Sequence, residues 1–488
     1  MENPSSMHLD FEACERVRMA RDPRFDGRFF IGVTSTGIYC RPICPAPHAK
    51  SKNVKYYPTA AAAAEAGFRP CLRCRPEAAP GTPAWLGTSV TVRRALSLIN
   101  EGALDTQSVE ELATRLGIGP RHLHRLFIQH VGASPMAVAQ TRRLHFAKRL
   151  IDDTRLAMTD IALASGFGSL RRFNDAFHQT YGKAPRELRR ERKHDAQAGE
   201  ALSLKLAYRP PYHWDAIRDF FATRALPGVE RVTADSYARS VEVNGVSGWF
   251  EVRPVPGADA LQLTVHHLGP GALFTVVRKV RHMFDLGADP EDVRSTLKQD
   301  RLLAPLLRRS PGLRVPGAWC PFELSVRAVL GQQVSVAAAR TFAIRIVTAH
   351  GKPLPEATEG LTHLFPEPKA LAKADLGSIG LTGARTRTLN ALAGAVAEGQ
   401  VSFDTASAEE TRESLQRIPG IGAWTAEYAA MRGLADPDAF PAEDLVLRRM
   451  AGNGHPLTTR ELKSRAEAWR PWRAYAVLHL WRAASDQP

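Results

Sequence analysis

The chain lacks what would place it in a membrane or send it out of the cell. None of its apolar runs is long enough to span a bilayer. Its first residues, MENPSSMHLDFEAC, hold no basic stretch followed by an apolar one, so a cytoplasmic protein without membrane contact is expected. Acid is also in short supply: 50 Asp and Glu against 65 Lys and Arg leave a net charge of +15. That excess points to a polyanionic partner, and with no lipid-facing amphipathic helix in view the expected partner is nucleic acid. Cysteine is scarce, six in all, yet five of the six fall before residue 80. A reducing cytoplasm makes disulfides there unexpected.

What is present divides into four segments. At 488 residues the chain exceeds one ordinary core. Residues 1–80 carry the cysteine pairs. Residues 85–192 read as wholly helical and end in the basic run RELRRERKH. Within 200–310, Leu202, Leu204 and Leu206 alternate with polar residues, as do Leu261, Leu263 and Val265, which predicts strands of a small sheet. Helical patterns return over 311–488. The expected fold class is multidomain, mainly α with α+β parts.

An internal repeat organises the second segment. ELATRLGIGPRHLHRLFIQHVGASP (111–135) is echoed by DIALASGFGSLRRFNDAFHQTYGKAP (160–185). Ser108 and Glu111 form a capping-box pattern, and Val109, Leu112, Ala113 and Leu116 then fall on one helix face. After a Gly-containing turn, Leu123, Leu126 and Phe127 predict the buried face of a second helix, which is helix-turn-helix grammar. The outward positions are Arg121, His122, His124 and Arg125 in the first copy, then Arg171, Arg172 and Asn174 in the second. Such side chains reach base edges and phosphates in a major groove. One copy alone reads equally well as the solvated face of a bundle; two, bridged by TRRLHFAKRLI, point to double-stranded DNA. The segment resembles the AraC-type DNA-binding domain over its whole length, and RNA polymerase is an expected partner of a monomeric regulator.

Cys40-x3-Cys44, 26 residues, then Cys71-x2-Cys74 is metal-ligand spacing. Two thiol pairs close a tetrahedron around one ion, which favours Zn2+. From spacing alone such a site is inert scaffolding. However, ARDPRFDGRFFIGVTSTGIYCRPICPAPHAKSKNVKYYPTAAAAAEAGFRPCLRCRPE resembles the N-terminal domain of Ada, the bacterial methylation-damage sensor. The resemblance implies that the cysteine of TGIYC, Cys40, takes a methyl group irreversibly from a methylated DNA phosphate. A metal-bound sulfur is held as thiolate, the nucleophilic form. Ada proteins commonly end in a methyltransferase with a Pro-Cys-His-Arg motif, which this chain lacks; Cys14 and Cys320 are read as structural thiols.

From about residue 200 the chain instead resembles 3-methyladenine DNA glycosylase II of the AlkA type, nearly end to end. AYRPPYHWDAIRDFFATRALPGVE is similar to its small N-terminal domain, and VRAVLGQQVSVAAAR and WRPWRAYAVLHLW to its helical core. LQRIPGIGAWTAEY (415–428) is a helix-hairpin-helix whose Gly420 and Gly422 let backbone N–H groups approach a DNA phosphate, with a bound monovalent cation as an optional bridge. The resemblance implies Asp444 in FPAEDLVLRR as the catalytic carboxylate; from the residues alone, Glu443 and Asp444 both read equally as exposed acids at a helix start. It implies Trp424, Tyr428 and Trp481 as stacking surfaces for a flipped base and Gln333 as the wedge filling the gap. Lyase-type relatives carry lysine where Trp424 stands, and others a four-cysteine iron–sulfur motif at the C-terminus. This chain has neither, so a monofunctional glycosylase is expected. The competing expectation is a pure regulator whose glycosylase-like half only binds damage. A third keeps the glycosylase and leaves the zinc site purely structural.

Overall fold

The two cysteine pairs lie at the ends of strands in a small sheet near the N-terminus. In the computed structural model, residues 9–80, 90–190, 201–403, 407–452 and 455–486 are described. The segment borders expected near 80–85 and 192–200, and the end of the basic run after Arg190, lie largely outside the described residues. The chain divides into two compact units: Met1–Pro210 with Val255–Arg278 and Leu286–Ala288, and Pro211–Pro254 with Lys279–Asp285 and Asp289–Pro488.

In the first unit, strands β1 (Phe30–Val33), β2 (Ile38–Cys40), β3 (Val54–Tyr57) and β4 (Arg69–Pro70) form a sheet in the order β3-β1-β2-β4. β1 is antiparallel to β2 and β3, and β4 runs parallel to β2 with Tyr39 opposite Pro70. Phe29, Ile31 and Val54 pack with Cys14 on one side, and Phe30, Tyr39, Ala60 and Ala63 form a second cluster. Cys14 is thus a core residue, 6% exposed.

The helical repeat folds as its pattern dictates. Helix Val109–Arg115 opens on the Ser108/Glu111 capping box, with both reciprocal bonds made. Its partner Pro120–Val131 buries Leu123 and Phe127 completely against Leu112 and Ala113. The second copy is Met158–Ala164 and Leu170–Tyr181, with Phe173 and Phe177 fully buried. Both second helices end at glycines with positive φ, Gly132 at 74° and Gly182 at 67°, the left-handed cap that glycine adopts without strain. The 19-residue helix Pro135–Asp153 joins the copies. The alternating leucines form strands Leu202–Ala207 and Ala260–His266, paired antiparallel with Leu204 opposite Leu263.

In the second unit, strands Glu230–Val232, Tyr237–Val243 and Val246–Pro254 run antiparallel in sequence order. A buried ionic cluster ties this sheet to helix Pro321–Leu330. Glu230 accepts from Arg239 at 3.1 Å and Arg327 at 3.0 Å, and Glu323 pairs with both arginines. Mutual pairing is what makes buried Glu230, Arg239 and Glu323 and half-buried Arg327 tolerable together, and losing one partner would strand the others. The core of the helical part gathers Val326, Val329 and Leu330 with Ile346, Leu389, Leu392, Leu415 and Ala426, and Cys320 packs at its edge. Within the C-terminal segment, where helical patterns dominate as expected, an unforeseen hairpin pairs Lys352–Thr358 with Leu361–Leu364. Its turn uses Gly360 at φ 77°, and the strand "KPLPEAT" buries only Leu354 fully, too few apolar positions for a period of two to stand out.

Candidate functional site

The second helix of each copy of the repeat presents the same face to solvent. Arg121, His122, His124 and Arg125, then Arg171, Arg172 and Asn174, are all exposed around buried Leu123 and Phe173. Arg125 Nη2 lies 2.8 Å from His122 Nδ1, and Arg171 makes only a long, exposed pair of 3.9 Å with Asp175. These cationic groups have weak local partners, which leaves them available to a polyanion.

The four expected metal ligands converge. The sulfurs of Cys40, Cys44, Cys71 and Cys74 all lie within 4.8 Å of one another. β2 ends on Cys40, the turn after it brings back Cys44 through a Cys44 N–H to Arg41 C=O bond of 3.1 Å, and the chain after β4 supplies Cys71 and Cys74. Four soft thiol donors at that spacing fit a tetrahedral Zn2+. Cys71 and Cys74 are buried, while Cys40 keeps part of its surface in solvent. The sequence reading missed the residues that frame the cluster. The Arg41 backbone N–H donates to Cys74 Sγ at 3.4 Å, and its guanidinium pairs with buried Asp26 and donates to the Cys74 carbonyl at 3.0 Å. Arg75 reaches Asp152 at 2.8 Å and Asp153 at 3.1 Å on helix Pro135–Asp153. Its adjacency to Cys74 was the only signal available beforehand.

In the second unit, helix Ala408–Gln416, a turn and helix Ala423–Gly433 form the hairpin. Gly420 has φ 91°, and a Cβ there would sit 2.2 Å from Thr388 Oγ1, whose hydroxyl donates to the Pro419 carbonyl at 2.9 Å. Gly420 is therefore required twice over. Gly422 faces open space instead, so its small size leaves the backbone accessible from outside. Gln333 is exposed at φ 58° between helices Pro321–Leu330 and Val336–His350. Its neighbour Gln332 donates to the Gly420 carbonyl at 3.0 Å and to Thr425 Oγ1 at 3.1 Å, and the Gln332 carbonyl accepts from Arg385 at 2.7 Å. The loop of Gln333 is thus fastened to the hairpin turn, a relation invisible in the sequence.

Trp424 and Tyr428, one turn apart, stack with ring centroids 5.1 Å apart and planes inclined by 10°. Trp481 lies 6.1 Å from Tyr428, tilted by 51°. Trp424 Nε1 donates to Asp444 Oδ2 at 3.0 Å, and Asp444 Oδ1 accepts from Leu447 N–H at 3.0 Å as the cap of helix Leu445–Ala451. The carboxylate is thereby fixed beside the aromatic pair. Glu443 next to it is exposed and, among the described residues, pairs with Lys463 at 3.6 Å. Glu427, held by Arg412 at 3.0 Å, accepts from Phe440 N–H at 2.9 Å and so anchors the loop that carries Asp444. Burial opposes ionisation of Tyr428, but the charges of Arg432 and Arg224 and the Arg432 hydrogen bond outweigh it and hold the phenol below its usual pKa.

A four-thiol metal module, paired helix-turn-helix units and a hairpin glycosylase core with a capped carboxylate define a DNA-binding regulator fused to a DNA glycosylase. Family models agree segment by segment: the metal binding domain of Ada over residues 13–77, a helix-turn-helix domain over 112–191, the AlkA N-terminal domain over 203–320, and the HhH-GPD superfamily base excision DNA repair protein over 326–474. The chain belongs to the family of AlkA-type bifunctional transcriptional activator/DNA repair enzymes. Over 482 residues it is 41% identical to the Mycobacterium tuberculosis protein described as "probable bifunctional transcriptional activator/DNA repair enzyme AlkA", with 97% of each chain covered. Its second half is 36% identical to DNA-3-methyladenine glycosylase 2 of Escherichia coli, covering 58% of this chain and 98% of that one. The 3-methyladenine DNA glycosylase of Archaeoglobus fulgidus shares the fold, with a TM-score of 0.52 at 23% identity over 58% of this chain and 98% of that chain. Among the described residues no helix is long and apolar enough to cross a membrane.

Proposed function

We propose that this chain repairs alkylated DNA in the bacterial cytoplasm and reports the damage to transcription, as a monomer that contacts RNA polymerase at its promoters. Its glycosylase half hydrolyses the N-glycosidic bond of alkylated purines such as 3-methyladenine. Gly420 and Gly422 hold a phosphate, directly or across a monovalent cation, and Gln333 fills the space left by the flipped nucleotide. The cationic base stacks on Trp424, Tyr428 and Trp481. Alkylation has already weakened the bond, so little acid catalysis is needed. Asp444 stabilises positive charge developing on the sugar and orients water. With Trp424 in place of an amine nucleophile, the product is an intact strand with an abasic site.

The sensor half takes methyl from a DNA methyl phosphotriester. The Cys40 sulfur attacks the methyl carbon, the S–C bond forms, the C–O bond breaks and the phosphodiester anion leaves. Bound Zn2+ would keep the sulfur as thiolate at neutral pH. The cluster loses one negative charge, which lowers its repulsion of DNA phosphates and tightens the exposed Arg121/His122/Arg125 and Arg171/Arg172/Asn174 faces on their site.

The observation that carries the repair reading is the Trp424 N–H bond to Asp444, which sets a capped carboxylate at the edge of the stacked rings. Release of free base from methylated duplex DNA by the purified chain tests it. No release, with binding to damaged duplex retained, would leave a pure regulator with a passive damage-binding half.

A further inference from the structure

Helix Ala423–Gly433 carries Trp424, Tyr428 and Arg432 at successive one-turn intervals, so the three share one face. The aromatic pair is consequently gripped at both ends. At one end Trp424 Nε1 donates to Asp444. At the other, Arg432 Nη1 donates to the Tyr428 oxygen. Arg432 is only 6% exposed, and among the described residues no carboxylate pairs with its side chain. It is held by carbonyls instead, with Nε on Pro316 O at 2.6 Å and Nη2 on Gly317 O at 3.4 Å. Its own carbonyl accepts from Ala318 N–H at 3.0 Å and lies 3.0 Å from His282 Nε2. The guanidinium also lies 4.6 Å from the Phe220 ring centroid and 5.2 Å from that of Tyr428.

A buried cation fixed by backbone carbonyls is a rigid anchor, and burying one without a carboxylate is costly unless its remaining N–H groups are used. The phenol oxygen takes an N–H of Nη1. We propose that Arg432 is a positioning residue for base excision: by holding the Tyr428 oxygen it fixes that ring parallel to Trp424, and so keeps the indole N–H on the Asp444 carboxylate. Arg224 also bonds the Tyr428 side chain, so loss of Arg432 loosens the ring rather than freeing it, weakens its stacking on Trp424 and slackens the indole bond to the carboxylate. The 10° between the rings is the geometric signature of the grip. The lowered phenol pKa agrees with an oxygen that accepts a charge-assisted bond.

The inference rests on Asp444 as the catalytic carboxylate, and its test is separable from that reading. Single-turnover release of base from methylated duplex is measured for the full chain, Arg432→Met, Tyr428→Phe and the double variant, together with affinity for abasic duplex. We expect Arg432→Met to slow release on the order of 10-fold with affinity little changed. The double variant should be no slower than the slower single one, because the two side chains act through one bond. A loss from Arg432→Met of the same size in the Tyr428→Phe background would overturn the proposal, since Arg432 would then act elsewhere in the structure. Should Arg432→Met fail to fold, Tyr428→Phe decides alone: an undiminished rate in that variant sinks the idea. Full activity of Asp444→Asn would instead refute the catalytic assignment.

Discussion

Tyr39 Oη lies 2.9 Å from His145 Nε2, linking the residue before Cys40 to the middle of helix Pro135–Asp153. Tyr39 is 1% exposed, and the Arg75 pairs with Asp152 and Asp153 fasten the other cysteine pair to the end of the same helix. Glu77, just beyond, faces Lys148 at 3.8 Å, which itself reaches Asp152 at 2.6 Å. Both halves of the cluster therefore bear on the one helix that joins the helix-turn-helix copies.

A change at the cluster should accordingly reach the DNA-binding faces through that helix as well as through the long-range field. Affinity for a promoter fragment, measured for methylated and unmethylated protein over a salt series, should favour the methylated form, most at low salt. Tyr39→Phe removes one hydrogen bond, costing about 1 kcal/mol of stability. It should shrink the affinity gain while leaving methyl uptake intact. An equal gain in Tyr39→Phe would mean that the field alone carries the signal.

The same contact has a pH dependence. Desolvation, with the charge of Arg149 adding to it, brings the His145 pKa down to about 4, and burial raises that of Tyr39, so both are neutral at pH 7. In the unfolded chain His145 binds its proton near pH 6.5. Between those values the unfolded state holds more protons, so this contribution to stability is complete above about pH 6.5 and is lost as pH falls toward 4. The melting temperature of wild type should fall more steeply over that window than that of His145→Gln, whose side chain has no proton to gain. Parallel curves would show that other groups dominate acid sensitivity.

Cys40 should carry the methyl group. Intact-mass and peptide analysis after incubation with methyl-phosphotriester DNA should find one added methyl, on Cys40, and none in Cys40→Ala. The partial exposure of Cys40 and Cys44 against buried Cys71 and Cys74 confines the acceptor to the first pair, and the resemblance of TGIYC picks Cys40 from it. An adduct on another cysteine, or the same adduct in Cys40→Ala, removes the assignment.

The elements on which these predictions rest were unevenly legible. Local rules captured the helix-turn-helix copies, because the capping box, the i, i+3, i+4 apolar face and the glycine caps all lie within one repeat. Period-two leucines likewise revealed the two strands, though not that they pair with Leu204 opposite Leu263. Arg41, Arg75, Gln332, Arg385 and Arg432 were not found, since each acts through a partner distant in sequence or through a backbone carbonyl that any residue supplies. An arginine bound for a buried carbonyl cannot be told from a solvated one by spacing. The hairpin at 352–364 escaped because its strands bury too little to show a period.

Asp444 should carry base excision. Its two oxygens accept from Leu447 N–H and Trp424 Nε1, so Asp444→Asn keeps the volume and a good helix cap but can offer its single carbonyl to only one donor. Folding and DNA affinity should survive, and release of 3-methyladenine should fall on the order of 100-fold or more, because developing positive charge on the sugar loses its counter-charge. Trp424→Phe removes the indole donor and part of the stacking surface but keeps the carboxylate's charge, so it should cost less than Asp444→Asn. Glu443→Gln should be close to wild type, since Glu443 faces solvent and Lys463. Undiminished release by Asp444→Asn would move the search to Glu443. Gel analysis of the same reactions before and after alkali decides the remaining point: strands should stay whole until alkali is added, and cleavage without it would refute a monofunctional enzyme.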